Sequence, residues 1–345
     1  MAVTISDVAR EANVSISTIS RVINNSKTVS PELKEHVFKV IEKTGYRPNV
    51  LARGLITKQT QTIGLVVSDI SNSVIGTVAR GINSVCQDKG YTVVMCETYG
   101  KAEREVELLN KLSEHRIDGL VFAGVDVNHK LTSHMLNMEY PVVLVTQQES
   151  CGETLVNTVI HDNYHLTYDA VNFLIAGGHR RIAFIAGPRN DFSSGKLRLE
   201  GYYAALKEKG IPPTESYIRH GDFSFDAGYE SMRQIYEESL ELPTAIIAAS
   251  DLMAIGAMQS AFSLGLSVPE DISVMGIDDS EMAKYSRPSL STVRIPYFEE
   301  GARACETLFR LIEERREGKK DVQPPVIEYV KHRIIRRASV GPVRK

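Results

Sequence analysis

Ser17, Ser20, Arg21 and Asn24 recur at intervals of three and four residues, the spacing that gathers side chains on one face of a helix. Together they present short hydroxyl and amide groups and one forked cation. That set can approach a polyanion closely, and an arginine can donate two parallel hydrogen bonds to a guanine edge. Residue types that do covalent or metal chemistry do not assemble in this way. The four cysteines (Cys86, Cys96, Cys151, Cys305) contain no C-x-x-C pair, and the nine histidines are scattered. His161-Asp162 lacks a third ligand at useful spacing, so neither a disulfide framework nor a metal site is expected. A G-x-S-x-G elbow, a G-x-x-x-x-G-K-[ST] loop and a G-x-G-x-x-G turn are all absent. Catalysis is therefore not expected, and no cofactor is called for.

Charge is distributed unevenly. Residues 1–60 hold nine Lys/Arg against five acids, a net +4; the tail from Lys331 holds six basic residues and no acid; the stretch between carries −13 of the chain's total of −3. Such asymmetry suits a polyanion-binding end joined to a body with another task, although a solvated imbalance would look the same. The 345 residues, 43% of them hydrophobic, suffice for two or three domains with substantial cores. No apolar run reaches the ~18 residues that a membrane span needs. The opening MAVTISDVAREANVS is too polar for a signal peptide, so a cytoplasmic protein is expected.

Helical periodicity governs the head. Thr4-Ile5-Ser6-Asp7 reads as a capping box, and Ile5, Val8, Ala9 and Ala12 fall on one stripe. Asn13 tolerates a positive φ and stops this helix. Ser15 then caps a second helix with Ile19, Val22 and Ile23 inside. Ser30, Pro31 and Gly45 bracket a third, with Leu33, Val37, Val40 and Ile41 inward. Two helices across a short turn, braced by a third, make a helix-turn-helix, an outline that any small three-helix bundle shares. Asn49 to Thr57 follows, too short and too interrupted by Gly54 to hold a helix without a partner. From Ile63 the pattern becomes strands near 63–68, 92–97, 119–124 and 141–146, then 181–187, 217–221, 245–250 and 272–277, with helices between. Two successive series predict an α/β body of two parallel-sheet subdomains around a cleft.

The head run TISDVAREANVSISTISRVIN, with SPELKEHVFKVIEKTGYRPN and LARGL, resembles the LacI/GalR family of bacterial transcription regulators. Its head and hinge are most similar to the catabolite control type. IGLVVSDISN, DGLVFAG, GGHRRIAFIAGP, KLRLEGYYAAL and GLSVPEDISVMGIDDSEMAKYSRPSLSTVRIP resemble the same family's periplasmic-binding-protein-like core. The resemblance implies a headpiece over 1–48, a hinge helix and linker over 49–62, and an effector-binding and dimerisation core over 63–340. Within that core, subdomain one takes 63–160 plus 291–322 and subdomain two takes 161–290 plus 323–340.

By the same resemblance Ile16, Ser17 and Arg21 face base edges, while Thr4, Ser15, Thr18, Ser20 and Asn24 hold phosphates. Asn49, Ala52, Arg53 and Leu55 form a hinge that folds on the minor groove, with Leu55 as a wedge in the central base step. In the core, Arg198 and Asp278 are expected to bind the hydroxyls of an effector, with Phe223 and Tyr297 as aromatic faces. Ser250 stands where many relatives have Asn. Ser73-Val74-Ile75 replaces a common Pro-Phe-Phe, which disfavours a stacked purine. Each has a plainer reading: Asp278 and Asp279 as caps of the next helix, Arg198 paired with Glu200, Phe223 in the core. Gln147, Gln148 and Glu149 end a strand beside the cleft.

The expected function is that of a dimeric, allosteric repressor of sugar uptake or breakdown genes. It would bind a pseudopalindromic double-stranded operator under the control of a sugar or sugar phosphate, with no membrane partner. Two alternatives remain open: a regulator using a phosphorylated carrier protein as corepressor, and a sugar-binding transport component.

Overall fold

The structure, a computed structural model, describes residues 3–23, 29–46, 59–318 and 323–343. It contains two units, Met1–Thr60 and Gln61–Lys345. In the first, α1 (Ile5–Glu11), α2 (Ile16–Ile23) and α3 (Pro31–Thr44) surround Val8, Ala9, Ala12, Ile19, Val22, Val37 and Val40. The Thr4 hydroxyl accepts from the Asp7 amide while the Asp7 carboxylate accepts from the Thr4 amide, so both ends of the expected capping box are made. Asn13 adopts φ 52°, which lets the chain reverse before Ser15 accepts from the Thr18 amide and starts α2. Ser30 and Pro31 open α3, and Gly45 closes it at φ 64°. His36 Nε2 lies 3.2 Å from the Ala12 carbonyl and ties α3 to the end of α1.

The second unit holds two six-stranded sheets. The first has the order β11-β5-β4-β3-β1-β2 and is parallel throughout. Its strands are β1 (Thr62–Val67), β2 (Thr92–Glu97), β3 (Gly119–Ala123), β4 (Val142–Val145), β5 (Asn157–His161) and β11 (Ile327–Val330). The second, β12-β10-β9-β8-β6-β7, consists of β6 (Ile182–Ala186), β7 (Ile218–His220), β8 (Ala245–Ala248), β9 (Ser273–Asp278), β10 (Ser291–Arg294) and β12 (Arg333–Ile335). Only β12 runs antiparallel, against β10. Central strands such as IAFIA and AIIA are buried along their whole length, as expected of sheets covered by helices on both faces.

Two helices of the first lobe, α4 (Ser73–Asp88) and α12 (Tyr297–Arg316), pack at very close range. A Cβ on Gly81 would lie 2.1 Å from the Phe298 carbonyl oxygen, and one on Gly301 would lie 2.2 Å from that of Val78. Hydrogen at these positions is what lets the backbones approach. The remaining helices of this lobe are α5 (Ala102–Glu114) and α6 (His129–Leu136). The second lobe carries α7 (Asn163–Ala176), α8 (Arg198–Glu208), α9 (Phe225–Glu238), α10 (Asp251–Ser263) and α11 (Glu281–Tyr285).

The division of the C-terminal part differs from expectation. β10 pairs with β9 and so belongs to the second sheet, although 291–322 was assigned to subdomain one. β11 pairs with β5 in the first sheet, although 323–340 was assigned to subdomain two. STVR and IEYV are short runs that suit either sheet, and the partner strand decides membership. The chain thus passes between the lobes after His161, after Arg294 and after Val330.

Candidate functional site

On the head, α2 turns Ile19 and Val22 inward, which leaves Ser17 and Arg21 exposed and Ile16 49% exposed. The Ser15 hydroxyl contacts those of Ser17 (2.7 Å) and Thr18 (2.8 Å), forming a polar cluster at the first turn. Thr18 and Ser20 are half-buried beside it. Arg21 has no ion-pair partner among the described residues. Thr4 is already engaged, since its hydroxyl donates to Asp7 at 2.7 Å and has no proton left for a phosphate. Asn24, Asn49, Ala52, Arg53 and Leu55 lie outside the described residues.

In the body, a cleft of ≈ 1240 Å³ opens where strands of both sheets end. Ser68 and Asp69 follow β1, Thr146 and Gln147 follow β4, His161 ends β5, Ala249 and Ser250 follow β8, and Asp278 ends β9. All of them line the cleft. This is where doubly wound sheets bind ligands, because there the loops diverge and helix N-termini face inward. The five effector residues expected from sequence, Arg198, Phe223, Ser250, Asp278 and Tyr297, all line it.

A short π-helical turn, Phe192–Leu197, leads straight into α8 and sets the direction of Arg198. Asp191 caps this turn by accepting from the Ser194 and Gly195 amides, and Gly195 is needed because a Cβ would lie 2.1 Å from the Pro188 carbonyl oxygen. π-turns of this kind concentrate at functional sites. Arg198 is 3% exposed. Its Nε donates to Asn163 Oδ1 (2.7 Å), its Nη1 to the Ala249 carbonyl (2.5 Å), and its Nη2 lies 3.2 Å from His161 Nε2. Three of five guanidinium N–H groups are thus used and two remain. Glu200 is 3.8 Å from Lys196 and takes no part.

The Asp278 carboxylate accepts from the Tyr297 hydroxyl at 2.7 Å, and burial raises its pKa. Asp279 is held by Arg294 and Arg337. Neither aspartate caps the next helix, a task that falls to Ser280, whose hydroxyl accepts from the Ala283 amide. Asp251, deeper in the lobe, is pushed up to about 8, first by burial and then by the charge of Asp278. It accepts from the Ser280 amide (2.6 Å) and the Thr292 hydroxyl. Phe223 is half-buried at φ 69°, with its ring against Gly187. The Ser250 hydroxyl caps α10 by accepting from the Met253 amide at 3.2 Å. At the opposite lip Asn72 caps α4, and Ser73 and Val74 face the cleft.

Sequence reasoning missed several participants. His161, considered only as a metal ligand, and Asn163 and Glu300, not considered at all, form a buried network with Arg198. Glu300 lies on the stripe of Ala304 and Leu308 along α12, and a carboxylate on an apolar stripe was the available signal. Gln147 reaches across the cleft to Asp191 (3.4 Å), and the Gln148 amide donates to the Ser193 hydroxyl (3.1 Å). Glu149 instead accepts from the Leu155 and Val156 amides and shapes the following loop. No cluster able to hold a metal ion occurs among the described residues, and no described helix is long and apolar enough to cross a membrane.

The structure thus holds a three-helix head of helix-turn-helix outline and a two-lobed core with a cleft at its strand ends. Residues 4–49 match the bacterial regulatory proteins of the lacI family, and residues 171–340 match a periplasmic binding protein-like domain. The chain is 36% identical over 325 residues to catabolite control protein A of Priestia megaterium, covering 94% of this chain and 97% of that protein. It is 37% identical over 310 residues to the ribose operon repressor of Escherichia coli K12, covering 90% and 93%. The crystal structure of the Lac repressor dimer bound to operator and the anti-inducer ONPF is similar with a TM-score of 0.88 at 28% identity, covering 99% of this chain and all of that one. The chain belongs to the lacI family of bacterial regulatory proteins.

Proposed function

We propose that the chain is a cytoplasmic, homodimeric repressor of genes for carbohydrate uptake or breakdown, released from or fixed on its operator by a sugar in the cleft. The observation that carries this reading is the set of groups gathered at the cleft: two unused N–H groups on Arg198, the Asp278 carboxylate and the Phe223 face. A sugar hydroxyl both donates and accepts, and so satisfies a guanidinium and a carboxylate side by side. Eight carboxylates and four Lys/Arg line the cleft, a balance that favours a neutral sugar over a sugar phosphate.

Dimer formation is supported by β2, an edge strand with Val94 and Met95 each 41% exposed. A two-fold dimer would read a pseudopalindrome, with Ile16, Ser17 and Arg21 at base edges and Leu55 wedged between the half-sites. The DNA-reading head separates this reading from a transport component. Selection of purified protein on random duplex DNA, with and without D-ribose, D-glucose and cellobiose, tests it. A palindrome whose retention changes with one sugar is expected. No enriched sequence would overturn the operator reading. A response only to a phosphorylated carrier protein would replace the small effector.

A further inference from the structure

We infer that His161 and Glu300 are positioning residues that hold the Arg198 guanidinium in its cleft-facing orientation; this deepens the reading of Arg198 as the effector's hydrogen-bond donor. The three residues come from three elements: His161 from the end of β5, Glu300 from α12 and Arg198 from the start of α8. Their exposures are 1%, 0% and 3%. His161 Nδ1 lies 3.0 Å from Glu300 Oε2, and Arg198 Nη2 lies 3.2 Å from His161 Nε2.

Donor and acceptor identities constrain the imidazole. An ionised carboxylate can only accept, so Nδ1 carries the proton. Nε2 lies 3.2 Å from Arg198 Nη2, which can only donate, and 3.1 Å from Asn163 Oδ1, which can only accept; because that oxygen already accepts from Arg198 Nε, we assign Nε2 a lone pair turned toward the guanidinium. His161 therefore links Glu300 to Arg198 through its two ring nitrogens. Glu300 Oε1 also accepts from the Thr146 amide at 3.0 Å, which leaves both of its oxygens engaged. Asn163 Oδ1 accepts from Arg198 Nε, so His161 and Asn163 grip adjacent donors of the fork while the Ala249 carbonyl takes a third.

Burying a carboxylate and a guanidinium without direct contact is costly unless the geometry between them is fixed. Here the fixed geometry bridges lobes, because Glu300, Thr146 and His161 belong to the first lobe and Arg198 and Asn163 to the second. A ligand that pulls on Arg198 thus pulls on α12, and any shift of α12 re-aims Arg198. An ordinary structural ion pair would stabilise the fold without altering what Arg198 binds.

The test has two readouts. In protein labelled with ¹⁵N-histidine, long-range proton–nitrogen correlation should show His161 with Nδ1 protonated and Nε2 bare. Glu300→Gln should scramble that tautomer, and Arg198→Lys should shift Nε2. A His161 protonated at Nε2, or one indifferent to both substitutions, overturns the inference whether or not any sugar binds. Calorimetric titration with D-ribose, D-glucose and cellobiose supplies the second readout. For a sugar that the unmodified protein binds, Glu300→Gln and Arg198→Lys should each weaken affinity about tenfold, and the double variant no further than the weaker single, since coupled residues are not additive. Losses that multiply would overturn the positioning role. Should Glu300→Gln not fold, His161→Gln, which restores an acceptor near the Nε2 position, is expected to retain affinity that His161→Leu loses; equal affinities would overturn it as well. If Arg198→Lys alone leaves every affinity unchanged, the effector reading fails, and the tautomer result still decides the inference.

Discussion

Two residues, one in each unit, show how burial and exposure assign opposite roles to charged groups. Arg21 is exposed on α2 without a partner among the described residues, so its donors are available to DNA. Arg21→Ala should cost about 1–3 kcal/mol of operator binding and relax discrimination at one base pair; in a competition series against single-base operator variants, an equal loss on all sequences would make it a phosphate contact instead. Asp251 is the opposite case, 1% exposed beneath β9, where Gly276 is required because a Cβ would lie 2.3 Å from the Asp251 carboxylate. Its pKa of about 8, against an ordinary 3.8, means that the folded state keeps a proton that the unfolded chain releases. Between about pH 4 and pH 8 the native state binds more protons, so this group's contribution to stability is present at low pH and is lost as the pH rises through the folded value. Asp251→Asn removes the titration, and Thr292 can turn its hydroxyl to accept from the new amide. Unfolding free energies from denaturant titrations between pH 5 and pH 8 should fall more steeply for the unmodified protein, by a difference on the order of a few kcal/mol across the window. Parallel curves would show that Asp251 is ionised throughout.

At the scale of elements, close backbone approach and strand partnership matter more than local pattern. The α4–α12 contact depends on Gly81 and Gly301, so Gly301→Ala should destabilise the core by about 1–3 kcal/mol through overpacking. Denaturant unfolding would show it as a lower midpoint at unchanged slope, and an unaltered midpoint would mean that the helices separate freely. Helix ends were legible in the sequence because caps are local chemistry: Thr4, Ser30, Pro31 and Gly45 act in the structure as their types require. Buried strands such as Ile182–Ala186 were legible because apolar runs between turn residues have few other uses. β5 escaped notice, since NTVIH is short and begins with a polar residue. The assignment of β10 and β11 was not legible, because pairing partners lie far away in sequence. Nor was the π-turn before Arg198, which depends on the Asp191 cap and on Gly195 meeting Pro188. The site was therefore readable as a set of types, Arg198, Asp278 and Tyr297, but its supports were not. His161, Asn163 and Glu300 act through contacts that join residues up to 139 positions apart.

For the whole molecule, regulation requires that the cleft and the head share one free energy. The lobes meet across the cleft through Gln147 with Asp191 and Gln148 with Ser193, and the second pair grips the π-turn that aims Arg198. A ligand that favours one separation of the lobes must then favour or oppose these contacts. Under the proposed function that bias would reach DNA through the chain between the units, with Leu55 as the proposed wedge. Linkage makes the coupling reciprocal: if a sugar changes operator affinity by some factor, the operator changes sugar affinity by the same factor. Calorimetric titration of the effective sugar into free and operator-saturated protein should return that factor, of about 5–150 for typical allosteric coupling, matching the one obtained from operator titrations with and without the sugar. Leu55→Ala should weaken the operator while leaving the sugar affinity of the free protein unchanged, because the proposed wedge acts on DNA alone. It should also shrink both factors together if the proposed wedge is the element through which cleft and operator are coupled. Unequal factors in the unmodified protein would require a third bound species, and an unaltered operator affinity in Leu55→Ala would move the coupling element out of the hinge.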